Sequence, residues 1–250
     1  MHHVHPNPVD LDVKTLFLLL LPVLGVASAA PAPAPQSAPT SIASAVKSLN
    51  PQADVTQVSG TPIAGLKEVR AGNEIVYMSE DGKYLFAGDL IEVASRENLT
   101  EVARSSTRAK ALSSSNRQEH IVYGPAKNEK KVYVFTDTSC PYCTRFHEEV
   151  PKLVAAGITV EYLAWPRGGP RSPAFANMQS VWCSKDRNAA YDKVIQGADL
   201  PMESCEHTMQ AQYELGVDLN VQGTPAVFAA NGTQLGGYVP AQQIIEALND

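Results

Sequence analysis

Two cysteines separated by two residues, Cys140 and Cys143, are where this chain could do chemistry. The stretch Cys140-Pro141-Tyr142-Cys143 falls where a hydrophobic run, Val132 to Phe135, gives way to a helical pattern starting near Pro141. Two sulfurs that close can cycle between dithiol and disulfide. At a helix N-terminus the free N–H groups and the helix dipole favour an anion, so the first thiol can be held as a thiolate at neutral pH if the loop leaves it accessible. Cys140 is therefore expected to be the nucleophile. Cys143, one turn further in, is placed to resolve the mixed disulfide that Cys140 forms. A merely structural Cys-X-X-Cys is the competing reading, and the strand–loop–helix setting speaks for redox chemistry.

The other two cysteines, Cys183 and Cys205, lie 22 residues apart and have no close neighbour. They read as a structural bridge, which in the chain-entropy picture would contribute roughly 3 kcal/mol. A second reactive pair relaying electrons is the alternative. A zinc site made of all four thiolates would want a second close pair, and no metal is expected. Pro225 follows Thr224, 85 residues after Cys140 and just ahead of a strand-like run. In a domain with the element order set out below, this position would face the two cysteines. A cis proline there would expose the Thr224 backbone to an extended substrate chain, so Val221-Gln222-Gly223-Thr224-Pro225 reads as the substrate-binding loop. His147, seven residues after Cys140, shares a helix face with the pair and could tune it, but reads as a surface side chain, as do the solvated Glu148 and Glu149. Asn98-Leu99-Thr100 and Asn231-Gly232-Thr233 match the glycosylation pattern by chance.

The elements that position these residues follow a recognisable order. Ser41 can cap a short helix ending at Leu49. Strand-like runs follow at Asp54–Val58, Leu66–Val69, Glu74–Met78, Tyr84–Phe86 and Leu90–Val93, with Asp81-Gly82 as a hairpin turn between two of them. This region holds no cysteine or histidine, which suggests a structural or binding role. From Glu97 to Ser114 the pattern turns helical, with a weak apolar face of Leu99, Val102, Ala103, Ala109 and Leu112 and with Arg104, Arg108 and Lys110 outside it; it reads as a connecting helix. Then come a strand at Lys131–Thr136, a helix at Pro141–Ala156 opened by its proline, and a strand at Ile158–Leu163, whose short connections suggest parallel pairing. Residues 171–217 read as helices and loops carrying Cys183 and Cys205. A hairpin at Ala226–Ala229 and Gln234–Tyr238 turns at Asn231-Gly232, and Pro240–Leu248 closes the chain as a helix. Strand–helix–strand, helical insert, hairpin, helix is the order of a thioredoxin-like α/β domain with an inserted helical segment.

The N-terminus reads as a targeting segment: Lys14, an apolar run from Leu16 to Val26, and Ala27-Ser28-Ala29 as a small-x-small cleavage site. The run is too short and too well terminated for a transmembrane helix. Asp10 and Asp12 sit where a basic region is expected, which places the natural start near Val13; sequencing the precursor's N-terminus tests this. Export implies an oxidising compartment in which disulfides persist. The net charge of −6, with no basic block, argues against nucleic acid or anionic membrane as a partner.

Phe135-Thr-Asp-Thr-Ser-Cys-Pro-Tyr-Cys143, Gly157-Ile-Thr-Val-Glu-Tyr-Leu-Ala-Trp-Pro-Arg167, Trp182-Cys-Ser-Lys-Asp186, Gly223-Thr-Pro-Ala-Val227 and Gly82-Lys-Tyr-Leu-Phe-Ala-Gly88 together resemble the bacterial periplasmic disulfide isomerases of the DsbC and DsbG family. The resemblance spans nearly all of the mature chain. It implies a V-shaped homodimer in which the first domains pair through their sheets and linker helices carry two thioredoxin-like domains facing one apolar cleft. It also implies a membrane reductase of the DsbD kind that keeps Cys140 and Cys143 reduced, and no cofactor. The domains expected are a signal peptide at 1–29, a flexible Pro/Ala-rich leader at 30–40, an α+β dimerisation domain at 41–96, a linker helix at 97–118 and the catalytic domain at 119–250. DsbC usually has Gly where Pro141 stands, and Pro-Tyr resembles DsbG; the Cys183/Cys205 pair and the short chain resemble DsbC. Six residues before Cys140, where thioredoxin itself has a buried acid, stands Val134, so no buried carboxylate is expected to take the Cys143 proton.

The mechanism expected is attack of reduced Cys140 on a non-native disulfide of a misfolded exported protein. A substrate thiol then completes isomerisation, or Cys143 resolves the intermediate and leaves the substrate reduced. The alternatives are a DsbG-like reductase protecting oxidised cysteines, a thiol oxidase, and a dimeric holdase chaperone whose cysteines are incidental.

Overall fold

The structure, a computed structural model, describes residues 41–72, 74–125 and 129–249; the expected signal peptide and leader lie outside the described residues. The chain opens with α1 (Ile42–Leu49), capped by Ser41, whose hydroxyl accepts the Ser44 N–H at 3.1 Å. An antiparallel meander follows: β1 (Val55–Gly60), β2 (Leu66–Ala71), β3 (Glu74–Ser79) and β4 (Leu85–Phe86), in that spatial order. Ala45 and Val46 of α1 pack on Val69 and Met78 in a small core. Gly82 makes the β3–β4 turn, with φ at +70°.

The connecting helix departs from the sequence reading in two ways. Glu97 and Asn98 are not helical: they form β6 (Glu97–Asn98) and pair with β5 (Ile91–Glu92). The helix α2 (Leu99–Ser114) starts after them, where the Asn98 side chain accepts the Glu101 N–H at 2.9 Å. The expected apolar face is also not what holds it. Val102 is exposed, while Thr100 is buried and bonded to the Tyr77 hydroxyl at 2.5 Å and the Leu90 N–H at 2.8 Å. Arg104 pairs with Asp89 at 2.8 Å, Thr107 bonds the Arg70 guanidinium, and Arg108, expected outside, lies 6.0 Å over the ring of Phe228. Polar contacts along several sides replace one apolar stripe, and Leu112, with Ala111 packed beside it, anchors the helix in a core.

The second sheet has the order β11-β10-β8-β9-β7, from β7 (Ile121–Tyr123), β8 (Lys131–Thr136), β9 (Thr159–Ala164), β10 (Ala226–Ala229) and β11 (Gln234–Gly236). Only β8 and β9 run parallel, joined through α3 (Pro141–Ala155); the other pairs are antiparallel. Successive side chains point to opposite faces of a strand, and both faces here are covered. Val132, Val134, Val160, Tyr162 and Val227 face a core shared with α3, α4 (Pro173–Cys183), α5 (Arg187–Ile195) and α7 (Ala241–Ala247). Tyr133, Phe135, Leu163 and Phe228 face the opposite core with Leu112 and α6 (Met209–Asp218). Burial on both faces is why these strands read as continuous apolar runs. The architecture is the expected thioredoxin-like one, with α4 to α6 as the helical insertion.

Candidate active site

β8 delivers the chain to Thr136, and the turn after it is built by Asp137. This fully buried carboxylate accepts the N–H and the hydroxyl of Ser139, each at 2.7 Å, the Arg167 N–H at 2.7 Å and Arg167 Nε at 3.2 Å. Arg167 Nη2 closes the clasp on the Ser139 carbonyl at 2.9 Å. So bonded, the charge is tolerated in the interior. Cys140 then caps α3, with Pro141 in the first turn, and its carbonyl accepts the N–H groups of Cys143 and Thr144 at 3.0 and 3.2 Å.

Both cysteines are free thiols. Cys140 keeps only 2% of its surface, less than an open nucleophile would, but its cover is thinner than that of Cys143, which lies deep in the core. A hydrogen bond from the Cys143 thiol is the main reason the Cys140 thiol is lowered to about 5, against the opposing effect of burial; the Thr224 hydroxyl and the N–H groups of Cys143 and Tyr142 add to it. Burial, and then the bond to Cys140, push Cys143 far above the ordinary thiol range. The pair thus holds one proton at neutral pH, on Cys143, and one negative charge, on Cys140.

The Thr224–Pro225 peptide is cis, just ahead of β10, and the Thr224 carbonyl lies 3.1 Å from Cys140 Sγ. In its thiol form Cys140 donates to that carbonyl. As a thiolate it has no proton to donate, and the buried Thr224 hydroxyl, with no other partner among the described residues, is left to donate to it. Thr224, between Gly223 and Pro225, therefore meets Cys140 across the chain. The whole arrangement carries a nucleophilic sulfur, a reserve thiol and an adjacent backbone segment in one place.

Comparison with known proteins agrees with this chemistry. The family described as a thioredoxin-like domain matches residues 118–250, and the one described as the disulfide bond isomerase protein N-terminal domain matches residues 27–101. The thiol:disulfide interchange protein DsbC of Dickeya dadantii is 39% identical over 195 residues, covering 77% of this chain and 80% of that one. DsbC of Escherichia coli (strain K12) is 36% identical over 195 residues, covering 78% and 81%. A solved disulfide interchange protein from Neisseria gonorrhoeae aligns with a TM-score of 0.48 at 27% identity, over 54% of this chain and 96% of that one. The chain belongs to the DsbC/DsbG family of thiol:disulfide interchange proteins.

As a member of the DsbC/DsbG family it is a thiol–disulfide exchange enzyme, and the remaining residues can be placed around that reaction. Tyr142 is 55% exposed; its ring lies 6.5 Å from that of Tyr238 and 5.4 Å from the Arg145 guanidinium, an aromatic surface in the same turn as the cysteines. Cys183, at the end of α4, is disulfide-bonded to Cys205, with Cα atoms 5.6 Å apart, tying α4 to the segment that precedes α6. Among the described residues no group of three or more His, Cys, Asp or Glu side chains could hold a metal ion.

Two sequence readings are corrected. His147 is not a plain surface residue: its side chain is 14% exposed, Nδ1 lies 3.2 Å from the Tyr162 hydroxyl and Nε2 3.0 Å from Asp192. Burial lowers its pKa, outweighing the pull of Asp192. Glu149 is not solvated either: it accepts the Ala241 N–H at 3.1 Å, at the start of α7, and pairs with Lys152 at 3.1 Å. Glu148 is exposed. Sequence reasoning also missed Asp137, Arg167, Thr136, Tyr162 and Tyr191. Asp137 and Ser139 carried a usable signal, since Asp two residues before a serine favours a side-chain-bonded turn; for the tyrosines none existed, because their partners come from distant elements.

Proposed function

We propose that this protein is a periplasmic disulfide isomerase and reductase acting on misfolded exported proteins. Reduced Cys140 attacks a non-native disulfide and forms a mixed disulfide. A substrate thiol attacks next, giving isomerisation, or Cys143 resolves the intermediate, giving reduction. The observation that carries this reading is two free thiols at the start of α3 with the Thr224 carbonyl 3.1 Å from the first: a sulfur lowered toward thiolate attacks and leaves well, and its buried neighbour keeps its proton until needed. The cis Pro225 loop presents backbone to an extended chain, and the Tyr142–Tyr238 surface suits the apolar segments that misfolded proteins expose.

The working form is a homodimer. β4 lies at an edge of the first sheet, and Leu85, Phe86, Tyr84, Ile91 and Val93 are exposed there and in the loop beyond, the last at 87%. An apolar sheet edge of this kind is what a second copy would cover. Residues 41–96 serve for pairing, 97–118 as linker and 119–250 for catalysis. A cleaved signal peptide at residues 1–29 delivers the chain, and a membrane reductase of the DsbD kind returns the pair to the dithiol.

Pro141 favours the second reading, a DsbG-like reductase that protects oxidised cysteines. Scrambled ribonuclease separates the two. The reduced protein should restore ribonuclease activity catalytically, and Cys140→Ala should abolish the effect. Reduction of sulfenylated single cysteines without ribonuclease rescue would favour the DsbG-like role. Activity confined to the oxidised protein would indicate an oxidase, and full function in Cys140→Ala a holdase.

A further inference from the structure

Behind the resolving cysteine stands a pair of hydroxyls that the exchange reaction, as described above, does not use. Thr136, the last residue of β8, is fully buried, and its side chain lowers the pKa of the Cys143 thiol against the larger effect of burial. On its other side Thr136 Oγ1 lies 2.7 Å from the hydroxyl of Tyr191, a fully buried residue of α5. The Tyr191 ring is wedged between those of Tyr162, at 4.8 Å, and His147, at 5.2 Å, so it has one place to stand. Two hydroxyl protons must find acceptors at this buried place, since a buried donor without one is costly. One direction satisfies both: Tyr191 donates to Thr136 Oγ1, which leaves the Thr136 proton to turn to the Cys143 sulfur. The reverse leaves the Tyr191 proton without an acceptor among the described residues.

We propose that Tyr191 is a positioning residue for Cys143: it orients the Thr136 hydroxyl toward the sulfur, and so sets how fast a mixed disulfide is resolved against how long it stays open to isomerisation. The proposal rests on the thiol-exchange reading of the pair. In resolution the Cys143 proton leaves, and the sulfur forms a bond to Cys140 Sγ. The bond from Cys140 to the substrate sulfur breaks, and its electron pair goes to the substrate sulfur, which takes up a proton. The substrate gains two electrons and the enzyme pair loses them. In isomerisation a substrate thiolate attacks instead and Cys140 departs as thiolate, with no net electron transfer. Both routes drain the same intermediate, so the readiness of Cys143 decides between them.

This chain needs such a donor because Val134 stands where an acid could have been, and the oxygens of Asp137 are already taken by Ser139 and Arg167. The ionisable groups facing Cys143 are Cys140 on its own helix, Asp137 in the preceding turn, Tyr162 on β9 and Tyr191 on α5. Both tyrosines stay neutral at working pH, because burial raises their pKa values well above the ordinary phenol range. A proton taken from Cys143 therefore leaves a charge that the Thr136 hydroxyl and the Asp137 N–H must stabilise.

Reaction of the reduced full-length protein with the disulfide of thionitrobenzoate tests this in one trace. Attack by Cys140 releases one thionitrobenzoate, and resolution by Cys143 releases the second. In Tyr191→Phe the second phase should slow roughly fivefold relative to the first, about the worth of one hydrogen bond between neutral groups, and its pH profile should move upward. Thr136→Val should do the same, and Thr136→Ser, which keeps the hydroxyl, should restore the rate. An unchanged second phase in Tyr191→Phe overturns the proposal, as does a slowed phase with an unmoved pH profile, which would mark a packing role. Absence of both phases in the wild type would instead defeat the exchange reading itself.

Discussion

At the scale of single residues the chemistry turns on one negative charge on Cys140 beside a protonated Cys143. Cys140 ionises early because the Cys143 thiol, the Thr224 hydroxyl and two N–H groups all donate to it. Its alkylation rate should therefore stay flat from neutral pH downward and fall only as pH drops through about 5, since a lowered thiol is thiolate everywhere above that point. Thr224→Val removes one donor while keeping the side chain's shape. Alkylation with iodoacetamide across pH should then show the midpoint displaced toward neutral; an unmoved midpoint would mean that the hydroxyl does not reach the thiolate. The two cysteines and Thr224-Pro225 were legible in the sequence because their types and spacing carry chemistry by themselves. His147 was misread, because nothing near it in the chain reveals Asp192 or Tyr162. Tyr191 was invisible for the same reason.

At the scale of elements the site depends on close approaches that hold β8, β9 and α6 in register. Gly216 of α6 lies where a Cβ would sit 2.3 Å from the Trp165 ring and 3.1 Å from that of Phe135. Gly216→Ala must push a packed indole aside, and should cost about 1–3 kcal/mol, read as a lower midpoint in urea unfolding. Glu161 gives the second handle. It is buried on β9, bonded to Arg117 at 2.6 Å and His120 at 3.1 Å, with Lys131 at 3.4 Å. Burial pushes its carboxyl up, but these partners outweigh burial and hold it at about 2. A carboxyl lowered on folding stabilises the fold above its unfolded value and loses that contribution as pH falls toward 2. Here the contribution is about 3 kcal/mol. Urea midpoints should drop between pH 4.5 and 2, and Glu161→Gln should flatten that drop. The strand–helix–strand order, the Asn231-Gly232 hairpin and the insert were legible from periodicity and turn chemistry. The start of α2 was not, because Glu97 and Asn98 continue a helical pattern and only pairing with Ile91 and Glu92 draws them into a strand. A charged Glu161 inside an apolar run was a visible oddity whose partners the sequence could not supply.

At the scale of the whole molecule the first sheet supplies no chemistry, and its exposed apolar edge gives it a reason to exist. Light scattering on the mature protein should return twice the chain mass, and replacing Phe86 and Ile91 by Lys should shift it to the monomer with the thioredoxin-like domain still folded. A wild-type monomer would remove the pairing role of residues 41–96. The central claim is that Cys140 attacks substrate disulfides and Cys143 releases them. Its most direct test is trapping: Cys143→Ala, reduced and mixed with scrambled ribonuclease, should accumulate a mixed disulfide that peptide mass spectrometry locates at Cys140. An adduct on Cys183 or Cys205, or none in Cys143→Ala while the wild type still rescues ribonuclease, would contradict it.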